Sequence, residues 1–470
     1  MKRRLASFFT ILALSPSLGF SQNPQESPTE SAPEAASVDD LSVVYKAAYF
    51  EQFQPVSVND MVSRIPGIGL ALGGGGGGRG RGLGGGAGEI LINGQRITGK
   101  SNEGRSQLSR ISADDVDYIE LIRGTSEEID VRGGGQVVNI VLLAAQSRSS
   151  IAAEISTDRM QDGKLAAGAR LSYSGQNGNL NYLFHIQGDP NYVNQVIRES
   201  SFDPQGIPTE RRIEESTRDQ INYETSINLG YEFEKSMVQL NALYGQTAPP
   251  TGITRGIIGL TEDNSSVNLE REANQVRRDN WELGGDYEYS FDNRSKFRFL
   301  FIVNDRDFDF TRERFQVGSD EETKDLFLFS AARDRERIAR SSYTFNLLAG
   351  QAIEAGVEIA QTIRDSEIRL GNDDAGGEPS AALGGLFPVD VDNALSTVEE
   401  IRSEYFAIHN WQLTDAMSLE TALVYESSEI TQSGDVGNFR SFGFFLDLIH
   451  ISEPTRRTTI SYAVFCLKKQ

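Results

Sequence analysis

The chain has 470 residues, 45 of them basic and 67 acidic, for a formal net charge of −22. That balance excludes a phosphate-backbone partner, which needs a basic footprint, so no nucleic acid is expected. The one cysteine, Cys466, excludes a disulfide framework within the chain, and His185, His409 and His450 lie far apart without ligand-spaced companions. No zinc motif, nucleophile elbow or HExxH is present, so neither metal nor cofactor is expected.

In chain order, Lys2, Arg3 and Arg4 precede an apolar run over residues 8–14, and Gly19 and Ser21 suit a cut before Gln22. This layout predicts a secretory signal over residues 1–21, its apolar run too short to span a bilayer as a helix. Residues 22–45 begin rich in Pro, Ser, Glu and Ala, with little to bury, and predict a disordered acidic leader. Residues 46–145 hold short mixed elements joined by glycines. A helix is predicted around residues 56–64, stopped at Ile65-Pro66-Gly67, followed by a glycine run over 73–88. Strand-like segments come next: EILIN, VDYIELIRG and VVNIVLL.

From Ser149 alternation takes over. Ile151, Ala153 and Ile155 begin it, and Leu180, Tyr182, Phe184 and Ile186 continue it, as do Trp281, Leu283, Gly285 and Tyr287. Period 2 over such runs predicts strands with one apolar and one polar face. Short turns near 175–179, 234–236, 291–295 and 413–416 alternate with long polar excursions over about 188–219, 246–277, 305–335 and 367–396. A soluble β-sandwich would have shorter strands and irregular turns. A membrane barrel has this alternation of short turns and long outer loops. About eleven strands are expected by residue 430 and a twelfth from about Phe439. The common plugged barrel has about 22 strands.

"GQRITGKS", residues 94–101, matches the phosphate-loop spacing G-x-x-x-x-G-K-[ST]. A nucleotide enzyme would need a buried helix after Ser101, where polar NEGRSQLSR stands, and an exported protein meets no ATP pool. Asn93-Gly94 is instead a dipeptide of two-residue type I′ hairpin turns, flanked by ILI and QRI. The expectation is therefore no enzyme.

Four segments in order, "VSVNDMVSRIPGI", "EILINGQRI", "SRISADDVDYIELIRG" and "IDVRGGGQVVNIVLL", resemble the plug domain of the TonB-dependent outer-membrane receptors. The resemblance implies an α+β plug domain over residues 46–145, followed by an antiparallel transmembrane β-barrel over 149–447. About half of a 22-stranded barrel is then present, open as written. It implies import of a scarce extracellular ligand such as a siderophore, vitamin or oligosaccharide. The implied setting is the Gram-negative outer membrane and its lipid, with the chain a monomer coupled to the inner-membrane partner TonB. By position, the candidate TonB box is Leu41, Ser42, Val43, Val44 and Tyr45, a β-prone segment able to pair edge-on with a partner strand; the competing reading is an ordinary first plug strand. Glu120 and Arg123 fall on family positions facing the barrel wall, or form a solvated strand-end pair. The glycine run is a passive expansion or a ligand-contacting apex. Residues 448–470 break the alternation and are expected to be a non-native tail of a truncated reading frame. Two open strand edges in lipid would cost on the order of tens of kcal/mol. The alternative function is a passive porin-like or surface-adhesive barrel.

Overall fold

The structure is a computed structural model that describes residues 36–39, 42–65, 89–96, 108, 111–123, 136–143, 147–247, 250–259, 267–318, 321–414, 417–452 and 465–466. The expected signal segment, Leu41, the glycine run over 73–88, Gly99-Lys100-Ser101 and most of the expected tail lie outside them.

The N-terminal part is a six-stranded sheet. Its strands are β1 (Ala36–Asp39), β2 (Ser42–Lys46), β3 (Glu89–Ile92), β4 (Gln95–Arg96), β5 (Val116–Arg123) and β6 (Gln136–Leu142), in the order β1-β2-β5-β6-β3-β4. Helices α1 (Ala47–Phe50) and α2 (Val58–Val62) pack on it. The second helix begins later than its apolar pattern suggests because Ser57 is its cap. The Ser57 side chain accepts from the Asp60 amide, and the Asp60 carboxylate accepts from the Ser57 amide at 3.0 Å, a reciprocal capping box. Phe50, Val58, Met61, Leu108, Ile119, Leu121, Val138 and Ile140 form the core on one face. Leu91, Ile122 and Val137 form a smaller cluster on the other.

From Ser147 the chain runs as an antiparallel meander. Its strands are β7 (Ser147–Arg159), β8 (Leu165–Asn177), β9 (Leu180–Pro190), β10 (Val193–Phe202), β11 (Pro208–Arg218), β12 (Ile221–Glu232), β13 (Ser236–Thr247), β14 (Pro250–Gly259) and β15 (Val267–Ser290). It continues as β16 (Lys296–Val317), β17 (Glu322–Leu348), β18 (Gln351–Asn372), β19 (Phe387–Val389), β20 (Leu395–Thr414), β21 (Met417–Gly434), β22 (Asn438–Ser452) and β23 (Phe465–Cys466). β9 pairs with β12 while β10 pairs with β11, so each of β9–β10, β11–β12 and β13–β14 is one long pass with a break. Counted that way, eleven passes end at Gly434 and a twelfth begins at Asn438, as the alternation predicts. β22 pairs with β21 as far as Ser452, so the strand outlasts the expected tail boundary.

One expectation needs correction. The polar excursions are in the main not loops but continuations of the strands; β17 alone has 27 residues, roughly three times what a bilayer needs. Both faces carry charged residues there, so alternation vanishes while the backbone ladder persists. Cross-strand ion pairs replace apolar contacts: Arg333 Nη2 to Asp305 at 2.7 Å, and Arg314 Nη2 to Asp325 at 2.9 Å. Between β18 and β20 a real loop remains, folded back so that β19 pairs with the end of β18.

The two faces of the meander differ as expected of a barrel wall. Ile151, Ile155, Ile186, Leu283, Tyr405 and Phe445 are exposed on one face. Ser172, His185, Asn241, Glu282, Asp286, Glu358 and Arg402 are buried on the other. No helix among the described residues is long and apolar enough to cross a membrane.

Candidate functional site: the plug and its seat on the wall

The hairpin of β3 and β4 turns through Asn93 (φ 53°) and Gly94 (φ 76°), both left-handed as a type I′ turn requires. The turn is tied to β6. Asn139 accepts a 2.8 Å bond from the Gly94 amide, and Asn93 accepts one of 2.8 Å from the Leu142 amide. Asn139, 3% exposed, also donates to the Glu120 carboxylate at 3.3 Å. The glycine that opens the phosphate-loop match is therefore already engaged by a side chain of its own sheet.

The candidate pair Glu120 and Arg123 lies on β5. Glu120 stands between Val44 of β2 and Asn139 of β6, half-buried. Arg123 is opposite Gln136 in the backbone register. Of the candidate box, Ser42, Val43, Val44 and Tyr45 form most of β2, which is paired on both sides, to β1 and to β5. Tyr45 is buried in the core. In this conformation the segment is a strand of the plug sheet with both edges paired.

Sequence reasoning missed the seat itself. Leu183 of β9 is 6% exposed and completes the plug core beside Ile111 and Val116. Ser174 of β8 donates a 3.0 Å bond to the carboxylate of Asp115, which is 9% exposed. A cavity of 140 Å³ remains between plug and wall, lined among others by Asn93, Asp115, Leu143, Ser174, Asn228 and Gln239. Leu183 occupies a position opposite in phase to Tyr182 and Phe184, so its apolar character was the available signal.

Residues paired across an antiparallel sheet share a face, which carries the plug-facing side along the wall. Leu183 pairs with Asn228, Asn228 with Asn241 and Asn241 with Gly284. The same row continues through Ile302, Ile338 and Ala360 to Arg402. There a buried ionic cluster stands. The Glu358 side chain, with no exposed surface, is bonded by Arg402 and, at 3.3 Å, by Arg340. Arg402 also reaches Glu404 at 3.1 Å and Glu426 at 3.6 Å. Arg340 caps the Phe406 ring at 3.8 Å, and Phe406 lies against Gly356, where a β-carbon would have no room. No local pattern announces this group, because its members come from four strands.

Asp162, in the turn between β7 and β8, accepts from the Tyr192 phenol and from the Lys164 amide. Those bonds hold the Asp162 carboxyl below its usual range, and the same carboxylate pushes the Tyr192 phenol up to about 12. Among the described residues no group of three or more His, Cys, Asp or Glu could hold a metal ion.

Residues 33–135 match the family model described as the TonB-dependent receptor plug domain. No curated protein matches. Among solved structures the chain is similar to the ferric yersiniabactin uptake receptor FyuA from Yersinia pestis, at 11% identity and a TM-score of 0.26, covering 89% of this chain and 80% of that one. It is also similar to the copper transporter OprC, at 10% identity and a TM-score of 0.25 over 89% and 76%, and to the siderophore receptor PirA from Pseudomonas aeruginosa, at 11% and 0.22 over 88% and 93%. Scores this low carry no argument about this chain. Residues 33–135 thus match a TonB-dependent receptor plug domain, and the plug sits on the polar face of an amphipathic antiparallel meander.

Proposed function

We propose that the chain acts as part of an outer-membrane importer in which TonB, drawing on the N-terminal segment, moves the plug and admits a bound extracellular ligand. The observation that carries this reading is the plug match over residues 33–135, joined to the seat formed by Ser174 and Leu183. A passive channel has no need of a domain that fills its own wall.

The pairing of β2 gives the coupling step a physical form. β1 meets β2 through three register pairs with an irregularity between Ala36 and Val38, whereas β5 meets it through five regular ones. Pulling on the leader therefore peels β1 first. This exposes the backbone edge of Ser42, Val43, Val44 and Tyr45, to which a TonB strand adds. Glu120 sits directly behind that edge, opposite Val44. With Arg123 it forms the proposed plug–barrel contact, loosened when β2 shifts.

Retention of the detergent-solubilised full-length receptor on an immobilised TonB periplasmic domain tests this. Retention is expected, and deletion of residues 22–45 is expected to abolish it. A receptor that is not retained, or is retained equally without those residues, contradicts the proposal.

A further inference from the structure

The plug-facing side of the wall changes sign with height. One step from the Arg402 row, away from the short turns, Glu282, Asn304, Glu336, Thr362 and Glu400 lie side by side. The next step carries Asn280, Arg306, Asp334 and Arg364. The step beyond carries Arg278 beside Phe308. Each step is about 7 Å along the strands. The upper rows thus set three guanidiniums against one carboxylate, on a chain whose net charge is −22.

The three arginines are not used up by the fold. Arg364 reaches Asp334 at 3.5 Å with 60% of its side chain exposed. The Arg278 guanidinium lies 5.1 Å from the centre of the Phe308 ring, a contact that leaves its N–H groups free to turn outward. Arg306 is exposed and has no carboxylate partner among the described residues. Neighbouring arginines on the other face, such as Arg333, are paired instead with Asp305 and Asp307. Phe310, in line with Phe308 one step higher, extends the ring surface.

We infer that Arg278, Arg306 and Arg364, with Phe308, form a capture site for a small polyanion, a ligand carrying several carboxylate or phosphate groups. Guanidiniums give bidentate, charge-assisted bonds to such groups. The carboxylates of Glu282, Glu336 and Glu400 directly below repel the same ligand and hold it at this height until the plug moves. This rests on the importer reading and narrows its ligand to an anionic class.

The test uses the full-length receptor purified in detergent, with iron(III) citrate as the anionic probe and maltoheptaose as a neutral one, by calorimetry at 50 and 300 mM salt. Iron(III) citrate is expected to bind, more weakly at the higher salt. Arg306→Gln and Arg278→Gln are each expected to weaken it about tenfold, a charge-assisted contact apiece. Arg333→Gln, on the opposite face, is expected to leave it unchanged, and maltoheptaose is expected not to bind. No measurable affinity for iron(III) citrate, or equal affinity in the Arg306→Gln, Arg278→Gln and Arg333→Gln proteins, overturns the inference. A receptor that TonB retains but that shows either of those results loses the site and keeps the importer reading.

Discussion

Ser174 on the wall donates a 3.0 Å hydrogen bond to the carboxylate of Asp115 on the plug, and so crosses the seam between the two parts of the chain. Beside it Leu183 sits inside the plug's own core. The plug is therefore anchored to β8 and β9, in the second and third passes after it, by one polar and one apolar contact. Ser174→Ala should loosen the plug by about 1 kcal/mol and Leu183→Ala by about 2–5 kcal/mol. Protease release of the plug fragment across a guanidinium series reads both. A Leu183→Ala receptor whose plug is released no earlier than the parent's contradicts the anchor.

Within the plug, Asn139 holds Gly94, Glu120 and hence the hairpin together. Asn139→Ala leaves the Gly94 amide without its acceptor and should cost about 1–3 kcal/mol in denaturant unfolding. Lys100→Ala, in contrast, should change no nucleotide affinity, since the turn at Asn93 and Gly94 serves a hairpin. ATP binding by the receptor that is lost in Lys100→Ala would restore the phosphate-loop reading.

The cluster around Glu358 should behave as a buried ion network. Removing Glu358 alone takes from Arg340 and Arg402 the fully buried carboxylate they share, so Glu358→Ala should cost about 3–5 kcal/mol. Replacing Arg340, Glu358, Arg402, Glu404 and Glu426 together by Met, Leu, Met, Leu and Leu should cost much less, because no charge of the cluster is then left buried. The temperature at which the receptor loses its folded mobility on a gel ranks the variants. A fivefold variant less stable than Glu358→Ala sinks this account.

The bond between Tyr192 and Asp162 sets a pH dependence at both ends. Asp162 has its carboxyl depressed, so its contribution is present above the unfolded value of about 3.9 and fades as pH falls through the lower folded value. Tyr192 is raised, so its contribution is full below about 10 and fades as pH rises through about 12. In the difference titration at 295 nm between the parent and Tyr192→Phe, one tyrosine should therefore ionise near pH 12. Ionisation near pH 10 contradicts the bond.

Much of this was legible in the chain. The alternation from Ser149 located the passes, and the Asn93-Gly94 dipeptide located the hairpin, because both depend on neighbours a few residues away. The extended outer strands were not legible. Once both faces of a strand carry charged residues, as at Arg333 and Asp334, no period distinguishes strand from loop. Nor was the cluster of Arg340, Glu358, Arg402 and Glu426 legible, since strand register alone brings those residues together. Leu183 was hidden for a third reason: it is an apolar residue on the polar face of its strand, meaningful only once the plug lies against it.

Cysteine crosslinking in living cells tests the central claim most directly. Single cysteines are placed at Ala36, Val38, Val43 and Tyr45 in a Cys466→Ser receptor, in cells whose TonB carries one cysteine in its periplasmic domain. The account predicts a receptor–TonB disulfide in the outer-membrane fraction from at least one of the four, and none from a cysteine at Asn59 on α2. A receptor that fractionates away from the outer membrane, or that gives no crosslink at any of the four positions, contradicts it.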